Sequence, residues 1–239
     1  MTSAADGRLF LVATPIGHLS DLSSRAVETL RAADLIACED TRRTQTLLRH
    51  YAIHAPLVSY HDYNERARAA ALVDRLRAGA RIALVSDAGT PVIADPGYRI
   101  VRAAIEADLP IEWIPGPCAV IGALVLSGLP PDQFTFVGFL PVKPGQRAQR
   151  LAQLRQEGRT VVAFEAPQRL TKSLAAIRDT CGAVDIAVCR ELTKLHEEAR
   201  RGTADELLAH YAAHPPRGEI TLVFHPGSND EPRTTNDAP

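Results

Sequence analysis

Five short segments of this chain gather glycine, proline, carboxylates, hydroxyls and one imidazole in combinations that can grip a small ligand or move a proton. The longest is Ser86-Asp87-Ala88-Gly89-Thr90-Pro91, which continues to Asp95-Pro96-Gly97. Glycine lets backbone approach a ligand closely, and proline holds a loop in one shape at low entropic cost. The others are Thr14-Pro15-Ile16-Gly17, Cys38-Glu39-Asp40-Thr41-Arg42, Ser59-Tyr60-His61-Asp62-Tyr63-Asn64-Glu65 and Pro115-Gly116-Pro117-Cys118-Ala119. Four side chains can accept a proton from a weak nucleophile: His61, Asp40, Glu39 and, further along, Lys194, the last only if its pKa is depressed. Each has a plainer reading. His61 suits a strand end, hydrogen-bonded to backbone. Glu39, Asp40 and Arg42 suit an ion-pair network. Asp87 suits a turn cap, because Asp readily bonds its own backbone.

The elements that must carry these segments follow from hydrophobic periodicity. Short apolar strands are expected at Leu9–Ala13, Leu35–Cys38, Leu57–Tyr60, Ile82–Ser86 and Ile111–Ile114, alternating with helices over Leu22–Ala33, Thr44–Tyr51, Glu65–Ala78, a stretch around Ile100–Ile105, and Ala119–Ser127. Strands alternating with helices imply a parallel sheet covered on both faces, and in such sheets ligands sit outside the carboxyl ends of the strands. Every strand of this half is followed by one of the five segments. Leu129-Pro130-Pro131-Asp132 then reads as a hinge. A second set follows, with strands near 134–139, 160–165, 185–190, 197–201 and 219–225 and helices near 145–156, 169–180 and 204–213. The fold class is therefore α/β: two α/β domains with a ligand cleft between them. We place the N-terminal α/β domain at 1–130, the C-terminal α/β domain at 131–227, and a polar, disordered tail at 228–239.

Several classes are excluded by what the 239 residues lack. There is no G-x-G-x-x-G after the first strand and no P-loop. Ser86 sits like a hydrolase nucleophile, but Leu84 and Ala88 occupy the positions where glycine is required. His210 and His214 have metal-binding spacing without an evident third ligand, so no metal is expected. No segment spans a membrane and the N-terminus has no signal-peptide design. Four scattered cysteines read as reduced thiols of a cytoplasmic protein. The net charge of −1 gives no whole-molecule attraction for nucleic acid, so a basic surface must be local. Lys143, Arg147, Arg150, Arg155 and Arg159 form one cluster with Glu157 the only nearby acid; Arg42, Arg43 and Arg49 form another. Either can meet phosphates or be a solvated helix face.

Taken as an ordered set, these motifs resemble the ribosomal RNA small subunit methyltransferase I family of the tetrapyrrole methylase superfamily. The similarity runs from Leu9 to Phe224 and includes, besides the segments at Thr14–Gly17, Glu39–Arg42, Ser86–Gly97 and Pro115–Ala119, Tyr98, Gly128-Leu129-Pro130, Gly138-Phe139-Leu140-Pro141, Arg190-Glu191-Leu192-Thr193-Lys194 and Gly218-Glu219. The chain departs from the pattern at His18, Gln168 and His225, where the family commonly has Asn, His and an acid, and it ends without the helical extension many members carry.

The resemblance implies an S-adenosyl-L-methionine-dependent 2′-O-methylation of a cytidine in the decoding region of 16S rRNA, with the small ribosomal subunit as partner and a homodimer as the assembly. It implies cofactor contacts from Leu11, Pro15, Asp87, Ala88, Gly89, Thr90, Cys118, Ala119, Glu219 and Ile220. Substrate contacts are expected from Arg42, Arg43, Arg147, Arg150, Arg169 and Arg190, with Glu165 beside Arg169 and Glu191 beside Arg190. Two alternatives stay open: methylation of a tetrapyrrole precursor, as in sirohaem or cobalamin synthesis, and a non-catalytic RNA-binding assembly protein on the same fold.

Overall fold

The computed structural model describes residues 7–227; the tail expected at 228–239 lies outside them. Contacts divide the chain between Cys118 and Ala119 into two compact units.

In the first unit, β1 (Arg8–Val12), β2 (Leu35–Cys38), β3 (Leu57–Ser59), β4 (Arg81–Val85) and β5 (Ile111–Ile114) form one sheet in the order β3-β2-β4-β1-β5. Every pairing is parallel. The strands read as near-continuous apolar runs because both faces are covered, and the two-residue side-chain period sorts them into two cores. Phe10, Val12, Ile36, Cys38, Ala83 and Val85 pack with Ala26 and Leu30 of α1 (Ser24–Ala32) and Leu48 of α2 (Thr41–His50). Leu9, Ala37, Ile82 and Leu84 face the other way, onto Leu72 and Leu76 of α3 (Glu65–Arg77) and Ile100 of α4 (Tyr98–Glu106).

Two helix starts are set by side chains. Ser23 accepts a hydrogen bond from the Ala26 N–H at 3.1 Å and opens α1. Asp40 accepts from the Arg42 N–H at 2.8 Å, so α2 begins at Thr41, three residues before the start expected from periodicity. The acid-rich segment after β2 is therefore a helix cap.

In the second unit, α5 (Ala119–Ser127) leads into β6 (Phe134–Phe139), α6 (Pro144–Glu157), β7 (Thr160–Glu165), α7 (Leu170–Cys181), β8 (Asp185–Arg190), β9 (Glu198–Thr203), α8 (Ala204–Ala213) and β10 (Ile220–Phe224). The sheet order is β6-β7-β10-β8-β9. β6 and β7 are parallel, and the other pairings are antiparallel. One face carries α6, α7 and α8 over Val161, Ala163, Ile186, Val188 and Leu222.

The placement of α5 differs from the expected division at residue 130. Its sequence, AVIGALVLS, is apolar all round, and Val120, Ala123 and Leu124 are buried. The Cys189 thiol of β8 donates to the Ala123 carbonyl at 3.8 Å. An all-apolar helix must be covered on more than one side, and the second sheet covers this one. The chain passes between units at Pro115-Gly116-Pro117-Cys118. Pro130 belongs to a fixed turn, its carbonyl accepting from the Thr160 hydroxyl at 2.7 Å. Among the described residues no helix is long and apolar enough to cross a membrane.

Ala123→Leu overfills the contact between α5 and β8 and should cost about 1–3 kcal/mol. Amide exchange should speed up in β8 and β10 and stay unchanged in β1–β5. Loss of protection in the first sheet instead would place α5 there.

Candidate functional site

Parallel strands send all their carboxyl ends to one edge, so the five segments of the first unit emerge together. The helix after β1, α1, lies on one face of the sheet; the helix after β4, α4, lies on the other. β1 and β4 are neighbours. Their onward chains therefore part at a topological switch point, where open α/β sheets bind ligands.

Before parting, the two loops are tied. Thr14 N–H donates to the Gly89 carbonyl at 2.9 Å, and Gly89 N–H donates back at 3.0 Å. The Thr14 hydroxyl donates to the Ser86 carbonyl at 3.2 Å, and the Ser86 hydroxyl to the Gly89 carbonyl at 3.3 Å. The loop after β5 joins them, its Pro117 carbonyl accepting from the Thr90 hydroxyl at 3.3 Å. Two glycines allow the closeness. Gly89 has φ +87°, and a Cβ there would lie 3.2 Å from Ile16 Cγ2; at Gly116 it would lie 2.9 Å from the Ala13 Cβ.

Asp87 links this group to the loop after β2. One carboxylate oxygen accepts from the Asp40 N–H at 3.0 Å, and the other lies 3.3 Å from an Arg43 guanidinium nitrogen. Around it stand Glu39, Asp62 and Asp95. Burial first, then the fields of Asp87 and Asp62, push the Glu39 carboxyl upward; Arg43 and His61 pull it back only in part. Burial first, then Glu39, push Asp95 up to about 6, against the stabilising Ser86 hydroxyl. The edge is thus crowded with carboxyl groups that disfavour one another's charge.

The remaining proton-acceptor candidates are differently placed. Asp40 is a helix cap whose carboxyl is held below its ordinary value by the Arg42 backbone and side chain. His61 has Nε2 3.1 Å from Asn64 Nδ2, and its backbone N–H donates to Asn64 Oδ1 at 2.9 Å; Asn64 in turn reaches the Ser59 carbonyl. This is a loop-fixing network. Of the expected cofactor contacts in this unit, Pro15 and Gly89 are buried, while Leu11, Asp87, Ala88 and Thr90 are half-buried.

The second unit has its own polar edge, because the ends of β7 and β8 and the starts of β9 and β10 coincide. Register sets Glu165 opposite Ile220, Ile220 opposite Arg190, and Arg190 opposite Glu198. Arg190 Nε lies 3.0 Å from Glu198, and the same guanidinium donates to the Arg217 carbonyl at 3.2 Å. Arg169 lies 2.6 Å from the buried Glu165. Both arginines expected at substrate are thus braced by acids of their own sheet.

Lys194 corrects an expectation. Its ammonium lies 2.9 Å from Glu191 and 2.8 Å from Glu219. Burial favours the neutral amine, but bonds to Glu219 and Glu191 outweigh it and the pKa rises. The depressed pKa that a role as proton acceptor requires is not what this pairing with two carboxylates produces. Glu191 also accepts from the Glu219 N–H at 2.9 Å. Gly218 is obligatory beside it: φ is +81°, and a Cβ would fall 2.2 Å from the Glu191 carboxylate. Cys118, which ends the first unit, and Ala119, which opens α5, are half-buried.

The basic helix is corrected too. Arg147, expected at phosphate, is 5% exposed and donates to the Pro141 and Val142 carbonyls at 3.4 Å. It falls on the buried stripe of α6 with Leu151 and Leu154. Arg150 is shared with Glu157 at 3.8 Å and Gln153 at 3.4 Å. Arg42 and Arg43 remain open, with side chains 90% and 67% exposed. Two contributors escaped the sequence reading as site residues. Thr14 was visible only as a hydroxyl after a strand, and Asp95 only as part of Asp-Pro-Gly.

The chain matches the family model of Tetrapyrrole (Corrin/Porphyrin) Methylases over residues 8–208. It is 49% identical to Ribosomal RNA small subunit methyltransferase I of Synechocystis sp., across 91% of this chain and 78% of that one. It is 43% identical to the protein of that name from Thermotoga maritima, across 91% and 98%. Among solved structures, cobalt precorrin-4 methyltransferase superposes with TM-score 0.67 at 18% identity, covering 94% of this chain and 97% of that one. Diphthine synthase superposes with TM-score 0.70 at 14% identity, covering 91% and 90%. At such identities the likeness is one of fold.

Asp95 generates a pH prediction. A carboxyl whose folded pKa lies above its unfolded value imposes no penalty below about 4 and lowers stability as pH rises through about 6. Asp95→Asn removes that penalty. The variant should gain stability over the parent between about pH 4 and 6, with the gain level above, in melts at pH 4, 6 and 8. A pH-independent difference would refute the crowding.

Proposed function

The chain belongs to the ribosomal RNA small subunit methyltransferase I family, within the tetrapyrrole methylases, and is a methyltransferase; we propose that it methylates the ribose 2′-oxygen of a cytidine in the decoding region of 16S rRNA. The observation that carries this reading is the whole-chain identity to relatives bearing that name, joined to a carboxylate-rich edge at the sheet's switch point. The proposed partner is the small ribosomal subunit, the proposed compartment the cytoplasm, and the proposed assembly a homodimer.

S-adenosyl-L-methionine is the methyl donor of this family, and the residues present fit it. Its reactive centre is a sulfonium cation, and Glu39, Asp87 and Asp95 are acids whose mutual crowding a cation relieves. Gly89 and Gly116 let the loops that carry these acids pack closely against one another. Asp87, Ala88, Gly89 and Thr90, with Leu11, Pro15 and Cys118, would hold it in the first unit. When bound, it supplies the methyl group.

The chain's own residues have two tasks. One is to place the ribose hydroxyl in line, roughly 3 Å from the carbon it attacks. The other is to accept the proton that the hydroxyl loses. Glu39 is our choice of base: Asp40 is committed to capping, Lys194 is paired with two carboxylates, and burial and neighbouring acids push the Glu39 carboxyl upward. Arg42 and Arg43 are our choice for phosphate contact, since both side chains are exposed, Arg42 beside Asp40 and Arg43 beside Asp87.

The test is methyl transfer from labelled donor to small subunits lacking this modification, followed by mass mapping of the RNA. Label is expected in one alkali-resistant cytidine dinucleotide. Label in a base would overturn the 2′-O assignment, and transfer to a porphyrinoid instead of RNA would favour the tetrapyrrole reading. Glu39→Gln should lower kcat, read at saturating donor, on the order of 10²- to 10⁴-fold.

A further inference from the structure

We infer that Phe139 is a stacking platform for a nucleobase of the RNA substrate, held in position by Arg169. The inference rests on the reading of rRNA as substrate and adds a specific contact to it. Single exposed apolar residues are ordinary on protein surfaces, so the 57% exposure of Phe139 carries nothing alone. What distinguishes this ring is the apparatus built beneath it.

Phe139 ends β6 after an irregularity. Phe134, Thr135 and Phe136 pair in step with Thr160, Val161 and Val162, and then Phe139 pairs with Phe164. Two residues of β6 oppose one of β7, and the second is Gly138 at φ +63°. Such a bulge re-aims the following side chain. The ring leans on Phe164, centroids 5.8 Å apart, and Phe164 on Phe136 at 5.0 Å. The Arg169 guanidinium lies over the Phe139 ring, 5.6 Å from its centroid.

Arg169 is itself immobilised. Glu165 lies 2.6 Å away with a side chain 1% exposed. Its oxygens also accept from the Ala166 N–H at 2.8 Å and from the Ser173 hydroxyl. A buried ion pair is costly to assemble and wins little stability by itself. Here its visible consequence is to fix one guanidinium against one exposed aromatic ring.

The chemistry of the platform selects its ligand. The Arg169 charge is neutralised by Glu165, so the surface is no phosphate trap. It presents a rigid π-face beside a planar cation, which suits a neutral, flat, polarisable partner. A nucleobase is that partner, and stacking reads its face, not its edge. Lys143, four residues on and exposed, is a cation available to the adjoining backbone.

The experiment compares Phe139→Ala and Phe139→Trp. The alanine variant should raise KM for small ribosomal subunits on the order of 10- to 100-fold, the loss of one base–aromatic stack, with donor KM and melting temperature unchanged. The tryptophan variant should keep near-parental KM. Trp113 is the chain's single tryptophan. Combining Phe139→Trp with Trp113→Phe therefore leaves one indole, at position 139, and its emission should be quenched by an oligonucleotide spanning the modified region. An unchanged subunit KM for Phe139→Ala, or an unquenched indole, overturns the inference. So does a shift from dimer to monomer in sedimentation, which would make the ring a contact between copies. Should the parent methylate no rRNA at all, the functional reading fails instead, and the quenching titration still decides whether position 139 meets a base.

Discussion

Parallel strands cannot be joined by tight turns, and that constraint organises the first unit. Each connection must cross back over a face of the sheet, so every strand delivers its next loop to the same edge. Glu39, His61, Asp87 and the glycines at 89 and 116 come from four different connections, and no local interaction links their sequences. They meet because β1, β2, β3, β4 and β5 all point one way. The opposite placement of α1 and α4 then parts the chain after β1 and β4, and the reciprocal Thr14–Gly89 bonds tie the two loops together before they diverge.

The two units handle charge in opposite ways. At the first edge, Glu39 and Asp95 stand with Asp87 and Asp62, and of these Asp87 has an arginine at ion-pair distance, Arg43. An arrangement of that kind is less stable than a neutral one and is complementary to a cation that arrives and leaves. At the second edge, Glu165–Arg169, Arg190–Glu198 and Glu191–Lys194–Glu219 are internally matched. Matched charges make a rigid frame. A frame of this sort serves positioning.

The elements themselves were largely readable. The strand and helix pattern stands in order from β1 to β10, because alternation and helical spacing are local consequences of burial. Less readable were three assignments that depend on distant partners. Arg147 read as part of a basic surface, yet its helix turns that position inward, beside Leu151 and Leu154. Lys194 read as a base if depressed, and two carboxylates raise it. The Pro130-Pro131 pair read as a hinge, whereas α5 ahead of it is captured by the second sheet and the crossing lies at Pro115–Cys118.

The amino-acid sequence by itself determined which residues form strands, which loops are held open by glycine and proline, where Asp40 and Ser23 could start helices, and the family to which the ordered motifs point. These are matters of neighbours a few positions apart. Tertiary structure alone decided the strand order, the identity of each charge's partner and the proton affinity that results. Asp40 and Asp87 are 47 positions apart, Thr14 and Ser86 72. A pKa depends on burial and on fields that act across space, and neither is written in a local pattern of residues.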